Sequence, residues 1–439
     1  MRTFVFALFL LLFKCAFGQN GFQFETDKDK IVIPFTFVDN MVIIPVEING
    51  TKLNMLLDSG SEPSLIFSFP ENDTVQLYNT KKIQISGLGN EEMAEGIYSD
   101  KNTAIVNGYR NNQFDLLVIL DENLNFSSRI GIPVNGILGY SFFKNNVVEI
   151  DYKKKRVTIY RDRKILNMKK LKAFTALPIT VVNDRAYLNV TAKLDNNKVD
   201  LKLLIDTGLG DGLWLFENDV IKANENYFED VLGEGVGGTV YGKKSRLDEL
   251  EFSEFKFKSP LVSYPDTASY KQLRLVTERN GSLGGGILKR FTILLDYNGG
   301  HLYLKKNSYY DDPFNYNMSG IEVQHGGVQW IQEVDKIRDD SPTNVLNVND
   351  IALDNSTLKY KFTLKQAYEI ASVRKNSPAE TAGLKHGDKL LKINRKNVSN
   401  LSKQKIDEML QEEDGKTIEI EIDRNGIVKK FKFQLKKML

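Results

Sequence analysis

The sequence has 439 residues, of which 59 are basic, 57 are acidic and one, Cys15, is a cysteine. Cys15 lies in an N-terminal leader that also holds Arg2 and Lys14, so the chain beyond the leader is formally neutral and has no thiol. This balance excludes a general attraction to nucleic acid or anionic lipid. The lack of thiols excludes disulfides, a cysteine nucleophile and cysteine-ligated zinc.

The leader, residues 1–18, is predicted to be a secretory signal peptide. Arg2 supplies its positive start, residues 4–13 are apolar, and Ala16-Phe17-Gly18 offers small residues for cleavage. The apolar stretch is too short to span a bilayer, and no later segment is apolar for long enough to form a transmembrane helix. We therefore expect a protein exported to the periplasm, the cell surface or the medium.

Short runs rich in Val, Ile and Phe predict a mainly β chain. They lie at 31–38, 41–48, 147–150, 188–192 and 291–295, and Asn, Gly, Pro or Asp bounds them. Residues 307–319, rich in Asn and Tyr, predict a linker. Beyond this linker the sequence contains more lysine and has a more helical pattern, which indicates a further domain at 320–439.

Two parts of the chain carry the same acidic turn. Asp58-Ser59-Gly60 and Asp206-Thr207-Gly208 each follow an apolar run, and each is followed by a Gly-apolar or Gly-Ser segment, at 136–139 and 281–284. The last glycine of that segment lies 81 residues after Asp58 and 78 after Asp206, and an Asp-Tyr pair follows 12 residues later in both copies. The repeat predicts two similar domains, 19–162 and 163–306.

The repeated turn is suited to a site of paired carboxylates. The apolar strand buries the Asp, the hydroxyl residue hydrogen-bonds around it, and the glycine lets the backbone turn tightly. Other chemistries find little support, since His301, His325 and His386 have neither a serine elbow nor metal-ligand spacing around them. We expect no metal and no cofactor.

With both motifs in place, residues 30–306 resemble a pepsin/retropepsin-type aspartic protease. The resemblance implies a bilobal, pepsin-like β fold built from two retropepsin-like repeats, with Asp58 and Asp206 as the catalytic pair. It also implies that Ser59 and Thr207 join the two loops through hydrogen bonds, supported by Gly60 and Gly208. The substrates would be proteins or peptides, hydrolysed by a water molecule activated between the two carboxylates.

The residue after the second acidic turn and the two flap segments also bear on this resemblance. Leu209 stands where the family usually has a small residue. The segments 86–101 and 232–242 fall at the distance expected for flaps, with Tyr98 and Tyr241 as flap aromatics or, more simply, as ordinary strand residues.

The C-terminal part resembles PDZ domains of the bacterial secreted-protease type. Ser377 and Pro378 begin a short helix that Gly383 ends, and a Gly-Asp turn then leads into an apolar strand. A helix at 399–410 and strands at 417–422 and 428–435 would complete the domain. The resemblance implies binding of an extended peptide beside strand 367–373, with no glycine-rich carboxylate loop evident before that strand and a polar insertion at 335–359.

The whole chain looks like the exported proteins of Bacteroidetes-type bacteria that join an aspartyl protease to a PDZ domain. We expect a monomer, because one chain contains both halves of the site. The alternative is a non-catalytic, exported peptide-binding protein that keeps the cleft and the PDZ groove. Two intact Asp motifs favour the protease, whereas Leu209 favours the alternative.

Overall fold

The computed structural model describes residues 21–69, 74–85, 87–89, 94–119, 126–166, 168–271, 275–336 and 358–439. The predicted signal peptide lies outside these residues. The fold is mainly β, as the apolar runs predicted. Within the described ranges, no helix is both long and apolar enough to cross a membrane. The chain forms two compact units, one made of residues up to Asn315 with the last two residues, and one of Tyr316–Lys437.

The first half of the first unit contains twelve strands and one short helix among its described residues. The strands are β1 (Gln23–Phe24), β2 (Lys30–Pro34), β3 (Thr36–Val38), β4 (Met41–Ile48), β5 (Thr51–Leu57), β6 (Ser64–Ile66), β7 (Lys81–Ile85), β8 (Ala94–Val106), β9 (Tyr109–Ile119), β10 (Gly136–Leu138), β11 (Val147–Asp151) and β12 (Arg156–Tyr160). The helix is α1 (Phe126–Ile130).

The second half repeats this arrangement. Its strands are β13 (Thr175–Pro178), β14 (Thr180–Val182), β15 (Arg185–Leu194), β16 (Asn197–Ile205), β17 (Leu213–Leu215), β18 (Phe228–Gly235), β19 (Gly238–Arg246), β20 (Glu249–Phe252), β21 (Phe255–Lys258), β22 (Leu261–Pro265), β23 (Arg279–Leu283), β24 (Phe291–Asp296) and β25 (His301–Lys306). Its helices are α2 (Met168–Leu171), α3 (Thr267–Tyr270) and α4 (Gly285–Leu288).

Each half has its own large sheet, and a third sheet joins the halves. The joining sheet has the order β13-β25-β24-β11-β12-β2, so three of its strands come from each half. At its centre β11 pairs antiparallel with β24, and Val148 lies opposite Leu295. Alternating burial along β2, β4 and β16 sends apolar side chains into one core that includes Ile44, Leu57 and Ile205.

The predicted linker at 307–319 is divided between the two units. Asn307 donates its backbone N–H to the Arg290 carbonyl, and the Arg290 guanidinium donates to the carbonyls of Tyr309, Tyr310 and Asp312. These contacts fasten the stretch to the first unit. The second unit begins a few residues later, at Tyr316.

The described residues of the second unit form an antiparallel sheet and two short α-helices. Its strands are β26 (Ile321–Lys336), β27 (Leu358–Val373), β28 (Lys389–Ile393), β29 (Lys396–Asn397), β30 (Thr417–Arg424) and β31 (Ile427–Gln434), and its helices are α5 (Pro378–Ala382) and α6 (Lys403–Leu410). Ser377 caps α5 by accepting from the Glu380 N–H, and Gly383 ends it with a φ of 98°. The predicted helix at 399–410 is shorter, because Ser402 starts α6 after a separate 3₁₀ turn.

Candidate active site

Each acidic turn begins where a strand is paired in parallel with the glycine segment that follows it in the repeat. Leu57 of β5 lies beside Leu138 of β10, and Ile205 of β16 lies beside Leu283 of β23. The Asp58 N–H donates to the Leu138 carbonyl over 3.0 Å, and the Asp206 N–H donates to the Leu283 carbonyl over the same distance. Both carboxylates therefore leave their strands at equivalent points of the two halves.

Ser59 and Thr207 join the two turns by four reciprocal hydrogen bonds. The Ser59 hydroxyl donates to the Ile205 carbonyl (2.7 Å) and accepts from the Thr207 N–H (3.2 Å). The Thr207 hydroxyl donates to the Leu57 carbonyl (2.7 Å) and accepts from the Ser59 N–H (3.0 Å). Both side chains are buried. Each hydroxyl thus satisfies a buried donor and a buried acceptor of the opposite half, which fixes the spacing of the two turns.

Removing one of these hydroxyls should destabilise the first unit. In Thr207→Val, the Ser59 N–H and the Leu57 carbonyl would stay buried without their partner, which we expect to lower the free energy of unfolding by about 2–5 kcal/mol. Thr207→Ser keeps the hydroxyl and loses one methyl group, so its cost should stay near or below about 1 kcal/mol. Urea unfolding of both variants tests this, and equal losses would mean that the hydroxyl is dispensable.

The glycines of the two turns lie against the carboxylates of the opposite half. A Cβ added at Gly208 would come within 2.4 Å of the Asp58 Cγ, and a Cβ added at Gly60 would come within 3.0 Å of the Asp206 Cγ. The two carboxyl groups lie close enough for the charge of Asp206 to raise the pKa of Asp58. Both side chains remain partly exposed, so solvent or a ligand can reach the pair.

The two carboxyl groups have different surroundings. Burial, and then the charge of Asp206, raise the pKa of Asp58, and the Gly60 N–H, which donates to its Oδ1 over 2.7 Å, opposes the rise. Burial also raises the pKa of Asp206, but the Arg279 guanidinium and the Ser282 hydroxyl oppose this rise. The pair therefore favours one proton shared between the two carboxyl groups.

Arg279 and Ser282 were not singled out from the sequence. Arg279 donates from Nη2 to the Ser282 Oγ over 2.8 Å and from Nε to the Gly281 carbonyl over 3.2 Å. Its guanidinium also lies 5.3 Å from the centre of the Phe216 ring. Only Ser282 belonged to a recognised motif, as the second residue of the segment 281–284. Arg279, two residues before that segment, could not be recognised from the sequence, because the direction in which its side chain points depends on how the strands pair.

Two other side chains donate hydrogen bonds to backbone carbonyls of the Asp58 turn. Arg185 donates to the Gly60 carbonyl over 3.0 Å, and the Tyr297 hydroxyl donates to the Ser59 carbonyl over 3.2 Å. Tyr297 is the second member of the repeated Asp-Tyr pair. Both residues belong to the second half, so they add further hydrogen bonds between the halves.

The predicted second flap, 232–242, is part of the hairpin that β18 and β19 form. At its tip, the Gly237 N–H donates to the Leu88 carbonyl of the first half over 2.8 Å. Beneath the tip, Leu88 and Leu209 pack on a cluster that contains Trp214, Leu232 and Val240. Leu209 thus forms part of an apolar contact between the Asp206 turn and the hairpin. Part of the predicted first flap, at 86 and 90–93, lies outside the described residues.

The two candidate flap tyrosines differ in burial. Tyr98 lies in β8 and packs against the apolar cluster of the first half, as an ordinary strand residue does. Tyr241 lies in β19, and its side chain is exposed.

Among the described residues, no group of three or more His, Cys, Asp or Glu side chains is arranged to hold a metal ion. Each histidine has a local partner. The Nδ1 of His301 is hydrogen-bonded to the Gly299 carbonyl, the Nδ1 of His386 to the Ala371 carbonyl, and the ring of His325 lies against Tyr368.

In the second unit, the groove strand predicted at 367–373 is wrong. Those residues belong to β27, which pairs with β26 on one side and, at Tyr368 and Glu369, with β28 on the other, so this part of β27 lies inside the sheet. The described sheet ends in β26 on one side and in β31 on the other, and β26 is the neighbour of β27. Strand β26 was missed because its sequence is polar, and because an irregularity between His325 and Val328, which holds a Gly pair, breaks the alternation. Residues 337–357 of the predicted insertion lie outside the described residues.

Comparison with known proteins gives one family match. Residues 369–424 match the PDZ domain family. The second unit therefore contains a PDZ domain, a module for binding peptides or proteins. No curated protein matches the chain significantly.

Proposed function

We propose that this protein is an aspartic endopeptidase of the bilobal, pepsin-like class, with Asp58 and Asp206 as its catalytic pair. The observation that carries the proposal is the contact between the two acidic turns: Ser59 and Thr207 join them by hydrogen bonds, and each glycine leaves room for the carboxylate opposite. A structural role alone gives no reason to place two carboxyl groups side by side in a partly buried site.

In this proposal the two carboxyl groups have separate tasks. Ionised Asp206 removes a proton from a water molecule, whose oxygen attacks the carbonyl carbon of the peptide bond. Protonated Asp58 donates its proton to the carbonyl oxygen, which gives a neutral tetrahedral intermediate. When the intermediate collapses, the C–N bond breaks, the nitrogen takes up the proton held by Asp206, and Asp58 recovers its own. Both protons are thereby accounted for.

The direct test is digestion of a peptide library from about pH 3 to pH 8, with and without a statine-type inhibitor, since the raised pKa values favour a shared proton over a wide range. We expect cleavage that the inhibitor blocks. Peptide binding without any cleavage across this range would instead support the alternative, an exported peptide-binding protein without catalysis.

The PDZ domain is proposed to recruit substrate chains rather than to take part in hydrolysis. A tethered chain has a raised effective concentration at the catalytic pair without any new catalytic contact. The domain begins after the stretch that Arg290 fastens to the first unit, so ending the chain after Asn315 keeps those contacts and removes, besides the second unit, the last two residues that group with the first unit.

Ending the chain after Asn315 should therefore affect two substrates differently. Turnover of a short peptide should stay within about threefold of the full-length rate, whereas cleavage of an unfolded protein should slow by about tenfold or more. Initial rates on both substrates test this. Equal losses would mean that the PDZ domain supports the protease fold, and no loss on either would rule out recruitment.

A further inference from the structure

We propose that the PDZ domain binds internal segments of polypeptide chains and does not depend on a free C-terminal carboxylate, because the Asn317 side chain fills the carboxylate position. This inference deepens the recruiting role proposed above and rests on it. It concerns the loop from Asn317 to Gly320, which leads into the outer strand β26.

The loop lies where the end of a bound peptide would be. A peptide added to the outer edge of β26, which pairs with no strand in the part of the chain that the structure describes, would run between that strand and α6. The loop stands at the start of β26 and at the end of α6, since the Met318 N–H donates to the Leu410 carbonyl over 3.0 Å. Successive backbone N–H groups in such a loop are the donors that capture a terminal carboxylate.

Here those donors already have acceptors. The N–H groups of Ser319 and Gly320 donate to the Asn317 Oδ1 over 3.0 and 3.2 Å, and the Ser319 hydroxyl donates to the same oxygen over 2.6 Å. The Ile321 N–H donates to the Ser319 Oγ over 3.2 Å. Together with Met318, four consecutive N–H groups are used within the unit.

The Asn317 amide is held in this orientation from its other side. Its Nδ2 donates to the Ile321 carbonyl over 2.7 Å, so the amide oxygen must face the loop donors. Arg374 anchors the backbone, donating from its guanidinium to the Asn317 carbonyl and from its N–H to the Gly320 carbonyl. An incoming carboxylate would meet an acceptor oxygen instead of free donors and would lose hydration without replacement.

The peptide that fits this site is therefore one that has no terminal carboxylate beside the Asn317 loop. The neutral backbone of an internal segment can pair with β26 beyond Ile321, where the edge continues through Val323 and Gln324. The main-chain hydrogen bonds of strand addition would supply the affinity.

The test uses the full chain carrying Asp58→Asn, so that bound peptides are not consumed. Short peptides that tile an unfolded casein would each be made twice, with a C-terminal carboxylate or a C-terminal carboxamide, and binding would be measured by fluorescence anisotropy. We expect paired Kd values to agree within about twofold. A carboxylate form that binds about tenfold or more tightly would overturn the proposal, and so would a lack of binding by every peptide.

Two variants of Asn317, each made in the chain that carries Asp58→Asn, test the role of this side chain. Asn317→Ala frees the N–H groups of Ser319 and Gly320, so it should gain a preference for the carboxylate form of about tenfold. Asn317→Asp keeps the acceptor and adds a charge, so it should gain none. No change in Asn317→Ala would contradict the role given to Asn317; if that variant unfolds, the wild-type comparison decides. Cleavage by the unmodified protein is measured separately. A failure of the protease assignment can therefore be distinguished from a failure of the proposal about the PDZ domain.

Discussion

Replacing either Asp58 or Asp206 with Asn is expected to abolish peptide hydrolysis. Asn can neither accept the proton from water nor donate one to the carbonyl oxygen, so kcat should fall by at least about 10³-fold in each variant. Asp200→Asn is the matched control, because this exposed Asp on β16 of the same half hydrogen-bonds only to Thr191 among the contacts described and should leave kcat unchanged. Substantial turnover in either dyad variant would refute the proposed mechanism.

The same substitutions should alter how stability depends on pH. Burial raises the pKa of both acids, so the folded chain holds its protons more tightly than the unfolded chain. The resulting stabilisation is complete below the ordinary carboxyl pKa of about 4 and is lost as the pH rises through the raised values. Asp58→Asn should therefore lose less stability than the unmodified protein between acidic and neutral pH. Urea unfolding at several pH values measures this, and a steeper loss in the variant would contradict the crowding of the two acids.

Adding one methyl group at Gly208 is expected to have the second largest effect. The new Cβ in Gly208→Ala would lie 2.4 Å from the Asp58 Cγ and 2.5 Å from its Oδ2, so this carboxylate must move. A catalytic group displaced by about 1 Å can cost about 10²-fold in rate, and we expect a loss in kcat of at least this size.

Gly60→Ala is the matched control for that substitution. Its Cβ would lie 3.0 Å from the Asp206 Cγ and 3.1 Å from the Leu204 Cδ2, so shifts of a few tenths of an ångström would relieve the contact. The loss in kcat should therefore be smaller than in Gly208→Ala. Steady-state kinetics of the two variants decide this point, and the reverse order would mean that the two carboxylates are not placed as described.

The mainly β class and the paired acidic turns could be predicted because they depend on local pattern. An apolar run followed by Asp-Ser/Thr-Gly specifies a strand and its turn, and the second copy with similar spacing indicates that the halves fold alike. The features that tune the site could not be predicted in this way. Arg279 acts through the direction of its side chain across paired strands, and Asn317 acts through hydrogen bonds inside a loop. Strand β26 begins with the alternation Ile321-Glu322-Val323-Gln324, but the Gly pair that follows interrupts this pattern, so pairing with β27 is needed to define the rest of the strand.

The central pairing of β11 with β24 joins equivalent strands of the two halves, so the seam is close to self-complementary, like the interface of a two-fold symmetric dimer. In such a dimer every substitution would appear twice, and both acids would keep identical surroundings. Covalent joining in one chain removes that constraint. The residues equivalent to Arg279 and Ser282, counted from the repeated glycines, are Val134 and Ile137 in the first half. Sequence divergence at these two positions places Arg279 and Ser282 beside Asp206 and leaves apolar residues at the equivalent positions of the first half, which an exactly symmetric assembly of identical halves could not achieve.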